Sequence, residues 1–169
     1  MNTVEIPYEY SVPILTKIGP NIRNYIKQYI SDNYLNKTVG TMYILKVDLS
    51  PLDKELPLYD IDKYKYNIIL HTTLFYTNNG DIHEAKLIID KDNDKTVVRA
   101  YSNYISCNII LNYGMQINED EGYIYILDTK KYIRRDDSIN IRITNIYASY
   151  HIPQDRILCD GEICLDDTT

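Results

Sequence analysis

The chain is short of the residues that most often carry chemistry. Its 169 residues include three His, three Cys, one Phe and no Trp. Cys107, Cys159 and Cys164 contain no Cys-x-x-Cys pair, and so sparse and odd a set reads as reduced structural thiols of an intracellular protein, not as a disulfide framework or zinc site. His71, His83 and His151 are widely separated, with no His-x-x-x-His or Glu-x-x-His grouping, so each reads as an ordinary strand residue. Six scattered glycines leave no phosphate-cradling loop. The acidic stretches offer little more. Asn118-Glu119-Asp120-Glu121 and the stretch with Asp90, Asp92 and Asp94 could attract a cation, but the latter lacks the Gly and distal Glu of a calcium loop and reads as a solvated turn. No catalytic constellation, metal site or cofactor is expected.

Long apolar runs are also missing. No stretch approaches the length of a membrane span, and Met1-Asn2-Thr3-Val4-Glu5 has neither a basic start nor an apolar signal core, so a soluble, non-secreted protein without membrane contact is expected. Positive charge is not in excess either. Residues 1–79 hold eight Lys/Arg against eight Asp/Glu, and residues 80–169 hold ten against sixteen, so the whole net charge of −6 lies in the second half. That balance excludes a strongly basic, generic nucleic-acid binder and restricts any such contact to a local cluster.

What the chain does have is tyrosine, 18 in all, together with abundant Asn and about twice as much Ile as Leu. This is the usage an AT-rich genome supplies, and it favours strands and half-buried positions. Val4 to Ile14 is extended, with Pro7 and Pro13 restricting it to a sheet edge or the start of a strand. Pro20 suits a first helical turn, and Ile22, Ile26, Tyr29 and Ile30 recur at helical spacing, predicting one amphipathic helix over about Pro20 to Leu35 that covers its own sheet. Val39 to Leu49 and Tyr66 to Tyr76 read as strands, separated by a polar loop with Pro51 and Pro57. One helix on a small antiparallel sheet accounts for this half.

At Thr77-Asn78-Asn79-Gly80-Asp81 the pattern changes. Five short strands are expected at Ile82 to Asp90, Thr96 to Tyr101, Ile105 to Leu111, Tyr123 to Asp128 and Ile139 to Tyr150, with no helix between them. Such a run predicts a five-stranded antiparallel barrel. Within this acidic half lies one basic cluster, Lys130-Lys131-Tyr132-Ile133-Arg134-Arg135, bordered by Tyr123 and Tyr125. Cations interleaved with aromatics are the ingredients of single-strand recognition, so Tyr123, Tyr125, Lys130, Lys131, Arg134 and Arg135 are the candidate RNA-binding residues. The bland alternative is a charged loop balanced by Asp136 and Asp137.

Several local strings, taken in order, resemble a known family. They are Ile18-Gly19-Pro20-Asn21-Ile22-Arg23-Asn24-Tyr25 leading into the helix, Val39-Gly40-Thr41-Met42-Tyr43-Ile44-Leu45 after it, the passage YNIILHTTLFYTNNGDIHEAKLI, and Gly161-Glu162-Ile163 before an acidic tail. The chain thereby resembles the stalk subunit of multisubunit RNA polymerases, the family of the seventh subunit of eukaryotic RNA polymerase II and its archaeal counterpart. Glu55-Leu56-Pro57-Leu58 and Gly80-Asp81-Ile82 are most similar to its poxvirus branch, the eighteen-kilodalton subunit of the viral DNA-directed RNA polymerase, and the Ile/Asn/Tyr/Lys usage fits an AT-rich insect poxvirus.

The resemblance implies an α+β tip domain at residues 1–79 and an all-β OB-fold (S1-like) five-stranded barrel at residues 80–169. It implies a subunit without an active site in a nucleotidyltransferase complex, docking on the large polymerase subunits through Gly19, Pro20, Asn21 and Arg23 and placing the barrel near exiting RNA. The poxvirus branch implies residence in the virion and host cytoplasm, and leaves open whether a fourth-subunit-like partner is bound. Two departures stand beside it: Ala85 occupies a position where the family barrel often has a second Gly, and the Phe-and-His RNA-binding face of S1-type barrels is missing. Without the resemblance, a free-standing RNA-binding barrel protein is the alternative.

Overall fold

The computed structural model describes residues 2–13, 21–55, 57–93 and 95–165, with side chains throughout except at Asp92 and residues 150–153. In chain order the first elements are β1 (Thr3–Pro13), α1 (Ile22–Asn33), β2 (Thr38–Gly40), β3 (Met42–Val47), the single-turn α2 (Pro51–Lys54), β4 (Tyr59–Asp60) and β5 (Lys65–Tyr76). They are followed by β6 (Ile82–Asp92), β7 (Lys95–Tyr101), β8 (Ile105–Ile109), β9 (Met115–Asn118) and β10 (Tyr123–Ile126). The last four are β11 (Lys131–Arg134), β12 (Ser138–Tyr147), β13 (Ser149–Gln154) and β14 (Ile157–Cys164). The chain is mostly β, and it divides into two compact units. One comprises residues 1–76 and 149–155, the other residues 77–148 and 156–169.

The first unit is a sheet in the order β1-β5-β3-β2-β13, with β4 also pairing β5. Among the described residues β1 pairs only with β5, in unbroken antiparallel register from Thr3 opposite Phe75 to Pro13 opposite Lys65. This edge place is what Pro7 and Pro13 permit, since a proline has no N–H for a second neighbour. Helix α1 buries Ile26 and Ile30 completely, against a core that includes Tyr10, Val12, Ile44, Ile68, Leu70 and Leu74. Each of those isoleucines contributes about 1.5–3 kcal/mol of apolar burial. The helix has no side-chain hydrogen bond at its N-cap and no charge complementing its dipole, so packing holds it in place.

Tyrosine hydroxyls reinforce that packing. Tyr25 donates to the Pro13 carbonyl and Tyr34 to the Ser11 carbonyl, both at 3.0 Å, tying the helix and its C-terminal turn to β1. Tyr10, fully buried, meets Thr72 Oγ1 at 2.7 Å. The Thr72 hydroxyl proton goes to the Leu70 carbonyl, so Tyr10 is the donor of this pair.

In the second unit five strands close into a barrel, β6-β7-β8-β14-β12 and back to β6. Its long first strand is shared, with Ile82 to Lys86 pairing β12 and Lys86 to Asp92 pairing β7. Alternate residues fill the interior, among them Leu87, Ala100, Ile105, Cys107, Ile141 and Cys159. Ala85 is one of these buried residues, opposite Ile139 in regular pairing, so this position makes no demand for glycine.

Two expectations are corrected here. The segment at Tyr123 to Asp128 is not a barrel strand: β10 sits in a separate three-stranded sheet with β9 and β11, and the fifth barrel strand is β14. Nor is the barrel antiparallel throughout, because β14 runs parallel to β8, with Cys159 opposite Cys107. A strand that returns after a long excursion can enter either way round, and β14 enters between β8 and β12.

Gly161 is where that insertion is tightest. A Cβ there would lie 2.7 Å from Cys107 Sγ and 2.8 Å from the Arg142 carbonyl oxygen, beside the bulge between Ile143 and Asn145 of β12. Backbone cannot yield as a side-chain tip can. Gly161→Ala is expected to destabilise the second unit by about 1–3 kcal/mol, the usual cost of overpacking, measured as a lower urea midpoint with unchanged slope.

Burial pushes the Tyr10 phenol up to about 12 from its ordinary value of 10.0. A group whose folded pKa is raised contributes stability that is intact below the unfolded value and lost as pH rises through the folded one. The first unit should therefore lose stability between about pH 10 and 12. Tyr10→Phe should flatten that part of the alkaline unfolding curve, and an unaltered curve would contradict the assignment.

Candidate functional site

The three-stranded sheet is a β-meander placed between barrel strands β8 and β12, in the order β11-β10-β9. Directly opposite residues share a face, and the pairs Tyr125 with Gln116 and Tyr132, and Tyr123 with Asn118 and Arg134, bring six side chains to one side. Ile124 and Ile126 turn to the other side and are buried. Period two thus divides YIYI into an apolar anchor and a tyrosine face.

On that face the rings are in contact. Tyr132 stands 5.0 Å from Tyr123 at an interplanar angle of 81° and 4.7 Å from Tyr125 at 39°. Such pairs contribute about 0.5–1.5 kcal/mol each beyond area burial. Asn118 Nδ2 donates to the Tyr123 hydroxyl at 3.2 Å. The three tyrosines line a groove of about 490 Å³ with Gln116 and Asn118, and Glu119 and Asp120 stand in the same wall. Tyr132 is 58% exposed; Tyr123 and Tyr125 are half-buried.

The candidate RNA-binding residues are therefore divided. Tyr123, Tyr125 and Arg134 share the face, joined by Tyr132, which sequence reasoning did not single out although it lies within the basic cluster. Lys131 faces the other way, opposite Ile126, and lines a separate groove of about 640 Å³ with Glu84 and Asp137. Lys130 occupies the β10–β11 turn with a left-handed φ of 55°. Arg135 has a structural task, its guanidinium donating to the Ile89 carbonyl and standing 3.9 Å from Asp90. Glu119 is likewise engaged, accepting from the Thr96 hydroxyl and lying 3.5 Å from Lys91.

Of the candidate docking residues, Gly19 and Pro20 lie outside the described residues. Asn21 precedes α1 and Arg23 lies in its first turn, both exposed. A second exposed feature of this unit is the hairpin of β4 and β5. Leu58 is 87% exposed, and Ile61 and Tyr64 each 71%. Tyr64 holds φ at 50°, and Tyr59 and Tyr66 pack across the strands at 5.5 Å. The expected polar loop thus carries an apolar tip, which its Asp and Lys residues mask in a composition reading.

The histidines serve locally. His71 is exposed on β5. His83 Nε2 lies 2.7 Å from Thr77 Oγ1, within the turn whose Asp81 carboxylate accepts from the Asn78 N–H, and burial lowers its pKa. The His151 side chain is outside the described residues. Among the described residues no group of three or more His, Cys, Asp or Glu is placed to hold a metal ion, and no helix is long and apolar enough to cross a membrane.

Adjacent arginines should separate cleanly in stability measurements. Arg135→Ala removes the contact to Ile89 and is expected to cost about 0.5–1.5 kcal/mol, whereas Arg134→Ala on the wet face should stay within about 0.5 kcal/mol. Equal losses in urea unfolding would contradict this division. Comparison of the chain with protein-family models and with curated proteins finds no match.

Proposed function

We propose that the chain is a non-catalytic, stalk-type subunit of a viral DNA-directed RNA polymerase. The observation that carries the reading is the barrel's strand order: numbered within the barrel it runs 1-2-3-5-4-1, with a parallel pair between the third and fifth strands. That is the order of an OB-fold, a barrel much used for single-stranded nucleic acid. It follows, along the chain, a unit in which helix α1 packs on an antiparallel sheet, the arrangement expected of a tip domain. That succession supports the stalk reading, in which a tip domain precedes the barrel.

In this reading the first unit docks on the large polymerase subunits and the barrel stands near exiting RNA. Exposed apolar side chains at a hairpin tip suit docking, because burying them against a partner recovers free energy that solvent exposure forgoes. Leu58, Ile61 and Tyr64 therefore join Asn21 and Arg23 as the proposed contacts. The poxvirus resemblance assigns the work to the virion and host cytoplasm. A free-standing OB-fold RNA-binding protein is the competing reading, and Arg134 beside Tyr123 is the geometry that favours it.

Affinity purification of the tagged chain from infected cells separates the two. Large polymerase subunits should accompany it, and Leu58→Asp with Ile61→Asp should release them while leaving the melting temperature of the isolated chain unchanged. A wild-type chain that purifies alone and binds oligouridylate with steep salt dependence would overturn the stalk reading.

A further inference from the structure

The groove formed by Tyr123, Tyr125 and Tyr132 is a surface that the proposed polymerase docking does not use. Its lining is acidic and offers a phosphate backbone few partners. Glu119 and Asp120 line it, Glu121 follows in the same turn, and among the described residues no Lys or Arg lines it, Lys91 reaching Glu119 at 3.5 Å. Arg134 is nearby on the face, but Lys131 and Arg135 are directed elsewhere. The three rings are not coplanar, Tyr132 standing at 81° to Tyr123 and 39° to Tyr125. With Tyr123 and Tyr132 near perpendicular, they form the walls of a notch and offer no coplanar floor for successive bases.

We propose that this groove receives a proline-rich segment of a partner protein, in polyproline II conformation and carrying arginine or lysine. Aromatic-lined grooves are the general means of recognising such segments, because a preformed left-handed helix loses little entropy when its ridges enter notches between rings. The backbone of that helix has no internal hydrogen bonds, so its carbonyls need donors from the groove. Gln116 and Asn118 present amides at one wall. Because Asn118 donates to the Tyr123 oxygen, that phenol keeps its own proton to offer. The acidic end supplies the partner for the segment's cation, giving direction and selectivity more than affinity.

The inference goes beyond the stalk reading and stands or falls without it, since the test uses the purified full-length chain with no polymerase present. The probe is a fluorescent peptide with two Pro-x-x-Pro turns and flanking arginines, followed by anisotropy. Binding is expected, with loss of roughly tenfold or more on Tyr132→Ala, the effect of removing an anchoring aromatic. Asp120→Lys with Glu121→Lys, two changes in an exposed turn, should weaken the same peptide roughly threefold or more. This pair decides the matter should Tyr132→Ala lower the melting temperature. The proposal is overturned if the wild-type chain does not bind the peptide, or if the charge reversal leaves affinity unchanged. It is overturned equally if oligouridylate binds this face in its place, with RNA affinity lost in Tyr132→Ala and gained on charge reversal.

Discussion

The second unit depends on how its last strand enters. Strand β14 closes the barrel by sliding between β8 and β12, and closure removes the edges that an open sheet would leave for aggregation. The fit has no slack at Gly161, whose missing side chain is matched on one side by a cysteine sulfur and on the other by a carbonyl of the bulged strand. Cys107 and Cys159 face each other across this parallel pair, both free and fully buried. The adjacent Cys107 thiol and burial hold the Cys159 thiol far above its ordinary range, and the two sulfurs donate to carbonyls, Cys107 to Asn108 and Cys159 to Ser106, as packing groups of the interior.

Closure by β14 frees the chain between β8 and β12 for another use. Had β10 been needed to complete the barrel, Tyr123 and Tyr125 would lie on a barrel wall. Instead the segment folds back on itself as a meander, and its inner residues Ile124 and Ile126 anchor it. The link between Glu119 and both Thr96 and Lys91 steadies the β9–β10 turn, and Arg135 bound to Ile89 steadies the exit from β11. Three contacts of modest individual strength thus hold the face that carries the tyrosines.

Much of this was legible in the residues. The helix at Ile22, Ile26, Tyr29 and Ile30, the edge strand with Pro7 and Pro13 and the β-rich second half all follow from local patterning. Pairing was not legible, because period two states which residues share a face and not which strand lies alongside. YIYILD is as good a barrel strand locally as ILCDGEIC, and better by propensity, since the latter contains Asp160 and Gly161. Only the crowding around Gly161 reveals why a glycine belongs there. The candidate site was half legible for the same reason: the basic cluster was visible as a string, yet alternation sends Lys131 and Arg134 to opposite faces, and Arg135 is claimed by a carbonyl 46 residues away.

The abundance of tyrosine has two explanations, codon usage and recognition, and position decides between them. In the first unit Tyr10, Tyr25 and Tyr34 each place a hydroxyl on a defined acceptor, so a phenylalanine would fill the space but lose the tie to β1 or Thr72. There tyrosine is a core residue with a polar task, and composition accounts for it. On the meander the situation differs. The Tyr123 hydroxyl is engaged by Asn118, while Tyr132 keeps more than half its surface in solvent. Genome composition explains why a residue is common, but it gives no reason for three rings to converge on one wet face beside two amides and an acidic turn. A folded sheet of this size would be served as well by Thr or Val at those positions. What the rings add is a notch, and a notch has a use only when something enters it.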